Sequence, residues 1–297
     1  MSFFSFWPFK RTQQTETTMR TSDALKPESM TEATLSPEKP ETVSQPKEQQ
    51  TLQTPTLPQT GTPLTLENLQ ETLDNLRNQL EAYINLQLFF SQGQLLPPFH
   101  GWPISPDFAV QLIRLIQKTP YEAIFEFGSG SSTVIIAKAL QVFERTQTLH
   151  AVFEHKSEFL EKTRMLLPPA AQEQSQLYFT PLVPYKETVD IYKYYDCAKV
   201  LAELAAKLKD TEPCRILCLV DGPPGFTCKN ARYPVLSHLL AAFSKLRYLD
   251  ILLDDYKRND EQETGQKWRY MLEAKGFRIH QEILPLENGA LLFQARK

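Results

Sequence analysis

Glu126, Gly128 and Gly130 are the first residues whose types and spacing could do chemistry. They stand in IFEFGSGSSTVIIAKAL, where an apolar run passes through Gly-Ser-Gly-Ser-Ser into an Ala- and Ile-rich helical pattern. A chain bends this tightly between strand and helix when a ligand must approach its backbone, because glycine has no Cβ to block the approach or to forbid positive φ. The candidate ligands are a phosphate, a dinucleotide or another nucleoside cofactor. A dinucleotide fingerprint would place a third glycine at position 133, which is Thr133, and the acidic Glu126 sits poorly beside a pyrophosphate. No Lys-Ser/Thr pair follows the glycines, so the turn is not a P-loop. A carboxylate at Glu126 suits a cation or a polar ligand without phosphate.

Glu154, near the end of the next apolar run in LHAVFEHKSEF, lies 24 residues beyond Gly130. A strand-end carboxylate there can accept both hydroxyls of a ribose. RILCLVDGPPGF carries another apolar run into Asp221 and a Gly-Pro-Pro-Gly turn, and YLDILLDDYKR ends a further one in Asp254 and Asp255. Prolines fix φ and remove donors, so the first of these turns should hold one shape. Neighbouring strands would bring the three carboxylates together and raise their pKa values. A divalent cation, a basic side chain such as Lys257 or Arg258, or a positively charged cofactor would relieve the repulsion; the alternative is that one or more of them points into solvent. Tyr185, Tyr192, Tyr194, Tyr195 and Asp196 in VPYKETVDIYKYYD line an acceptor pocket or form a packed aromatic loop.

The elements that must position these groups alternate. Strands are expected at 123–127, 149–154, 176–180, 215–221, 248–254, 277–284 and 290–294, and helices at 131–143, 157–167, 197–208, 233–245 and 261–275, with a further helix from about Pro106. Short, continuous apolar strands between helices indicate an α/β fold: a doubly wound, Rossmann-like parallel sheet covered on both faces. Ligands of such sheets sit at the carboxyl ends of the strands.

Residues 1–64 differ in composition from the rest of the 297-residue chain. From Thr12 to Pro63 they are rich in Thr, Gln, Glu, Pro and Ser, and such a segment cannot bury enough apolar surface to offset its ordering entropy. A disordered tail is expected there. Its opening, MSFFSFWPFKR, residues 1–11, would suit weak docking at a membrane interface or in a partner groove, or is a sticky end without function. In residues 65–94, Leu66, Leu69, Leu73, Leu76, Leu80 and Tyr83 recur in steps of three and four, a short heptad seam. Either a homodimer coil through residues 66–87 or a helix packed across the globular domain fits this pattern.

The remaining ~230 residues suit one α/β domain, 95–297. A net charge of −3 gives no basic excess, so nucleic acid is a disfavoured partner. Cys197, Cys214, Cys218 and Cys228, spaced 17, 4 and 10 apart, match neither a CxxC pair nor a paired zinc motif, and are read as thiols of a reducing compartment. No apolar run reaches the ~18 residues of a membrane span. A cytoplasmic protein, membrane-associated if residues 1–11 dock, is expected.

Glu126-x-Gly128-x-Gly130, Glu154, Val220-Asp221-Gly222-Pro223-Pro224-Gly225 with Ala231-Arg232-Tyr233-Pro234, and Leu253-Asp254-Asp255 resemble, in order and spacing, the class I S-adenosylmethionine-dependent methyltransferases. The likeness is to the branch with a D-G-P-P turn, and it runs from about Leu95 to the end. It implies a seven-stranded sheet of order 3-2-1-4-5-7-6 whose last strand is antiparallel, with S-adenosylmethionine as cofactor. By the resemblance, Gly128, Gly130 and Ser131 would meet the methionine moiety and Glu126 its amino end. Glu154 would take the ribose and His155 would flank the adenine; at Thr180-Pro181-Leu182, where many members carry an acidic residue, recognition of the adenine would fall to the main chain or to Thr180. Asp221 would also border the cofactor.

Asp221, Asp254 and Asp255 are further similar to the Mg²⁺ site of catechol-type O-methyltransferases, whose oxygen ligands suit that ion. Gly222, Pro223 and Pro224 stand where that subgroup carries a lysine base. The implied reaction is methylation of a small-molecule or sugar-like hydroxyl, with Asp221 or Asp255 as base, directly or through the metal. Two rivals are a non-catalytic scaffold and a nicotinamide-dependent oxidoreductase, and the missing third glycine speaks against the second.

Overall fold

The computed structural model describes residues 65–91, 94–99, 103–187, 190–208 and 214–297. The expected tail and the aromatic opening at 1–11 lie outside them. In chain order the elements are α1 (Leu66–Phe89), α2 (Pro106–Lys118), β1 (Ala123–Phe127), α3 (Ser131–Val142), β2 (Leu149–Glu154), α4 (Ser157–Leu166), α5 (Pro169–Gln174) and β3 (Ser175–Phe179). There follow β4 (Leu182–Glu187), β5 (Asp190–Tyr195), α6 (Ala198–Lys207), β6 (Arg215–Val220), α7 (Pro234–Ala242), β7 (Tyr248–Asp254), α8 (Asn259–Ala274), β8 (Arg278–Leu284) and β9 (Ala290–Arg296).

Seven strands form one sheet in the order β3-β2-β1-β6-β7-β9-β8, with β4 and β5 paired separately as an antiparallel hairpin. Numbering only the strands of the large sheet, this is 3-2-1-4-5-7-6, and its last strand, β9, runs antiparallel to β7 and β8. The hairpin falls where the sequence predicts a loop. Pro184 inside β4 cannot donate to a ladder and is tolerated because both strands of a two-stranded ribbon are edges.

The central strands read as unbroken apolar runs because both faces are covered. Phe125 and Phe127 of β1, Phe153 of β2 and Val220 of β6 enter one core, closed by Leu201 of α6, Val235 and Leu239 of α7 and Trp268 of α8. Ile124, Leu217, Leu219 and Leu252 enter a second core, closed by α2, α3 and the end of α1 through Leu86 and Phe90. Phe127 stacks on Phe153 with centroids 4.8 Å apart, and Phe153 on Tyr178 at 5.7 Å. Each such ring contributes about 2–3 kcal/mol of apolar transfer. This slab keeps the ends of β1, β2, β6 and β7 level, where the chemistry-bearing residues stand.

Helix α1 begins at Thr65, whose Oγ1 accepts the Asn68 N–H at 3.2 Å. The helix belongs to the same compact unit as the sheet. Its inward face is Ala82 and Leu86, while every member of the heptad seam is exposed, from 40 % at Tyr83 to 88 % at Leu66. Cys197 and Cys218 are buried, and no disulfide joins any of the four cysteines. Among the described residues, no helix is long and apolar enough to cross a membrane.

Candidate active site

The two glycines of the β1–α3 turn do different work. At Gly128, φ is +101° and a Cβ would stand 3.3 Å from the backbone of Asp221 and Gly222. Its missing side chain therefore lets the turn after β1 cross the turn after β6. Gly130, at φ +152°, has open space where its Cβ would be, so this is the position that leaves room for a ligand. The Gly130 N–H donates to Thr133 Oγ1 at 3.2 Å, closing the first turn of α3 from the position where a dinucleotide fingerprint carries glycine. Beside it, the buried Ser131 hydroxyl has no partner among the described residues.

Glu126 does not line the cleft. It is fully buried under the turn; Oε1 accepts the Ser132 hydroxyl, and Oε2 lies 3.1 Å from His150 Nε2. His150 Nδ1 in turn lies 2.9 Å from Ser175 Oγ. The carboxylate expected to reach a ligand instead holds the first turn of α3 against β2 and β3.

Glu154, at the end of β2, is gathered in from three directions. Its Oε2 accepts both the N–H and the hydroxyl of Ser129 at 3.1 Å, and Oε1 accepts the Lys156 N–H at 2.8 Å, with His155 Nδ1 at 3.0 Å. Burial pushes its carboxyl up, but hydrogen bonds from His155, Lys156 and Ser129 outweigh that and hold it below the usual range. Thr163 of α4 donates to Ser129 Oγ at 3.2 Å, locking the two loops together. Thr180 is buried with its N–H 2.8 Å and its hydroxyl 3.5 Å from the Glu154 carbonyl oxygen, so it splices β3 to β2 and lies outside the cavity lining.

Two cavities open at these strand ends. One, of about 110 Å³, is lined by Gly128, Ser129, Glu154, His155, Phe159 and Tyr195, among others. The other, of about 460 Å³, is lined by Pro103, Phe226, Asp254, Asp255, Arg258 and Asn288, among others. Asp221 and Pro224 line both. The tyrosines of the hairpin do not line the larger cavity: Tyr192, Tyr194 and Tyr195 are buried, Tyr195 reaches the wall of the smaller one, and Tyr192 lines a separate cavity with Lys229 and Glu263.

The three aspartates do converge, with one oxygen from each lying within 4.8 Å of the others. Asp255 sits at φ +60°, a left-handed conformation that Asp tolerates, and its N–H donates to Asp254 Oδ1 at 2.7 Å. The main counter-ion is one the sequence did not single out for the task. Arg232, 3 % exposed, places Nη2 3.2 Å from Asp221 Oδ1 and 2.8 Å from Asp255 Oδ2. Arg258 Nη1 reaches Asp255 Oδ2 at 2.7 Å from the solvent side, whereas Lys257 turns away to the Glu287 carbonyl oxygen. Burial, reinforced by Asp255 and opposed by Arg232, pushes the Asp221 carboxyl up to about 7. Asp254 is pushed up by burial together with Asp221 and Asp255.

The donor set does not suit Mg²⁺ while Arg232 is in place. Six oxygens at about 2.0–2.1 Å would be required. Asp221 and Asp255 already give an oxygen each to a buried guanidinium, and Asp254 gives one to a backbone N–H.

Sequence reasoning missed Ser129, Phe159, Phe226, Asn288 and the task of Arg232. Only Arg232 carried a signal, its place in the ARYPVL stretch.

No protein-family model matches the chain, and no curated protein matches it. Among solved structures it is similar to an O-methyltransferase from Bacillus cereus in complex with SAH, at 14 % identity over 74 % of this chain and 91 % of that one, with a TM-score of 0.47. It is similar to an SAH-bound methyltransferase from Podospora anserina at 12 % identity over 79 % and 98 % of the two chains, TM-score 0.48. It is also similar to the O-methyltransferase TomG from Streptomyces achromogenes in complex with SAM, at 12 % identity over 74 % and 90 %, TM-score 0.48.

Proposed function

We propose that the chain is an S-adenosylmethionine-dependent methyltransferase that methylates a small-molecule or sugar-like hydroxyl. The observation that carries this reading is the position of Asp221: a carboxyl raised to about 7, standing on the wall shared by two cavities. A general base works best when its pKa lies near the working pH.

The strand ends around the smaller cavity carry groups that suit the cofactor. Glu154, held ionised, lines the cavity with Ser129, and the next residues of the turn add open space at Gly130 and a Ser131 hydroxyl without a partner among the described residues. When bound, the cofactor supplies a sulfonium methyl group for in-line displacement. Glu154 accepts the ribose hydroxyls, one of them in place of the rotatable Ser129 hydroxyl. His155, Phe159 and Tyr195 offer rings to the adenine. On the other side of the wall, Phe226, Asn288 and Arg258 hold the acceptor, and Asp221 takes the proton of its hydroxyl. Arg232 keeps Asp221 aimed. Alignment of the two reacting groups supplies most of the acceleration in such a displacement, because little covalent help is needed.

The test is a calorimetric titration with S-adenosylhomocysteine of the wild-type chain and of Glu154→Ala. Saturable binding that the variant weakens sharply supports the reading. Absence of binding by the wild-type chain would sink it and favour a non-catalytic scaffold.

A further inference from the structure

We infer that Arg232 is the resident cation of the acidic edge, and that its guanidinium holds the place a divalent metal would need among Asp221, Asp254 and Asp255. The inference rests on side-chain geometry and stands apart from the identity of cofactor or acceptor.

Arg232 is anchored two residues before Pro234, the first residue of α7, so its backbone is fixed where the turn after β6 enters a helix. From there the side chain runs inward across the ends of two strands and meets a ring of acceptors. Besides its two carboxylate contacts, Nη2 donates to the Asp221 carbonyl oxygen at 3.2 Å, and Nη1 donates to that of Asp254 at 3.0 Å. Nε lies 3.5 Å from the Pro223 carbonyl oxygen and 3.7 Å from Glu261 Oε1. A guanidinium has five N–H donors in a rigid fork, and this fork is spent on the main chain of the turn after β6 and of the end of β7 as well as on the carboxylates. The side chain is 3 % exposed, so water does not share the task.

A metal could not simply be added. An ion bound by the three aspartates would lie within a few ångströms of the buried guanidinium, and two cations that close repel strongly in a medium less polar than water. It would also have to recover oxygens that now accept from Arg232 and from the Asp255 N–H. Arg258 adds a second positive charge at Asp255, but it is 53 % exposed and can swing away. Arg232 cannot. Removing it would leave Asp221, Asp254, Asp255 and Glu261 facing Arg258 alone, a set that would take up a hard dication.

The experiment uses Mn²⁺, followed by electron paramagnetic resonance and calorimetry, on the full-length wild-type chain and on Arg232→Met, Arg232→Lys and Arg258→Met. The wild-type chain is expected to take up no Mn²⁺ saturably, and its thermal midpoint should not move with Mg²⁺. Arg232→Met, provided its melt stays cooperative, should gain one saturable Mn²⁺ site that Mg²⁺ competes for. Arg232→Lys, which keeps a charge in place, should gain none. Saturable Mn²⁺ uptake by the wild-type chain that Asp254→Asn abolishes would overturn the inference, as would a folded Arg232→Met that binds no ion. Should Arg232→Met fail to fold, Arg258→Met carries the test: a new Mn²⁺ site there would assign the excluding charge to Arg258, and none keeps it with Arg232.

Discussion

The Tyr195 hydroxyl occupies the space in which a side chain at Gly222 would begin. The same glycine approaches Gly128 so closely that its Cβ would stand 3.1 Å from the Gly128 Cα. Gly222→Ala should therefore be destabilised by about 1–3 kcal/mol, the usual cost of overpacking a rigid site. Denaturant melts of Gly222→Ala, Tyr195→Phe and the double variant check this. The double variant should lose less than the sum of the single losses, because removing the hydroxyl frees part of the space. Strict additivity would show that the two residues do not meet.

Turnover should rise with pH through about 7. Only the ionised Asp221 can take a proton, its carboxyl is raised to about 7, and so the active fraction grows on the alkaline side of that value. Asp221→Asn should lower the rate by roughly 10²–10⁴-fold while leaving S-adenosylhomocysteine binding in place. Initial rates and binding isotherms across the pH range test both parts. A variant that turns over normally would remove Asp221 from its role.

In Asp221→Asn, which lacks the carboxyl that titrates near 7 on the shared wall, cofactor affinity should be flat over the same range. Hydrogen bonds hold the Glu154 carboxyl below the ordinary value, so it is already ionised well under neutrality. Glu154→Gln should weaken S-adenosylhomocysteine by about 1.5–3 kcal/mol, the worth of hydrogen bonds to a charged group. A binding curve with a titration step near neutrality would assign ribose recognition elsewhere.

The exposed seam of α1 should drive self-association. Leu69 is 44 % and Leu76 63 % exposed, on the face turned away from the buried Ala82 and Leu86. A contiguous apolar stripe of this kind marks an interaction surface, and its heptad spacing suits a second copy. Sedimentation of the wild-type chain should give a dimer, and Leu69→Glu with Leu76→Glu a folded monomer. A monomeric wild-type chain would rule the pairing out.

The strands of the large sheet were legible because burial on both faces leaves unbroken apolar runs, as in AIFEF and ILCLV. Helix α3 was legible for the opposite reason, a run of Ala and Ile after a turn that only glycine permits. The hairpin was not, since Pro184 interrupts β4 and the adjacent pairs Ile191-Tyr192 and Tyr194-Tyr195 break the alternation of β5. The Glu154 carboxylate could be placed at the cleft from its position alone. The engagement of Glu126 could not: His150 pairs with Ile124, so its ring lies diagonal to Glu126 on the same face of the sheet, a relation set by strand register. Arg232 escaped notice likewise, because its partners come from the turn after β6, the end of β7 and α8, which only the folded chain brings together.

Asp221 and Pro224 are the lining residues common to both cavities. A partition this thin has a consequence for how such a protein can change over time. The compartment holding Glu154 is built by the turns after β1 and β2, the other by Phe226, Asn288 and the end of β7. Drift in the second set can refit the larger chamber to a new guest while the smaller one keeps its occupant. If the proposed function holds, one donor can then serve a succession of recipients, with the wall between them as the part that must stay.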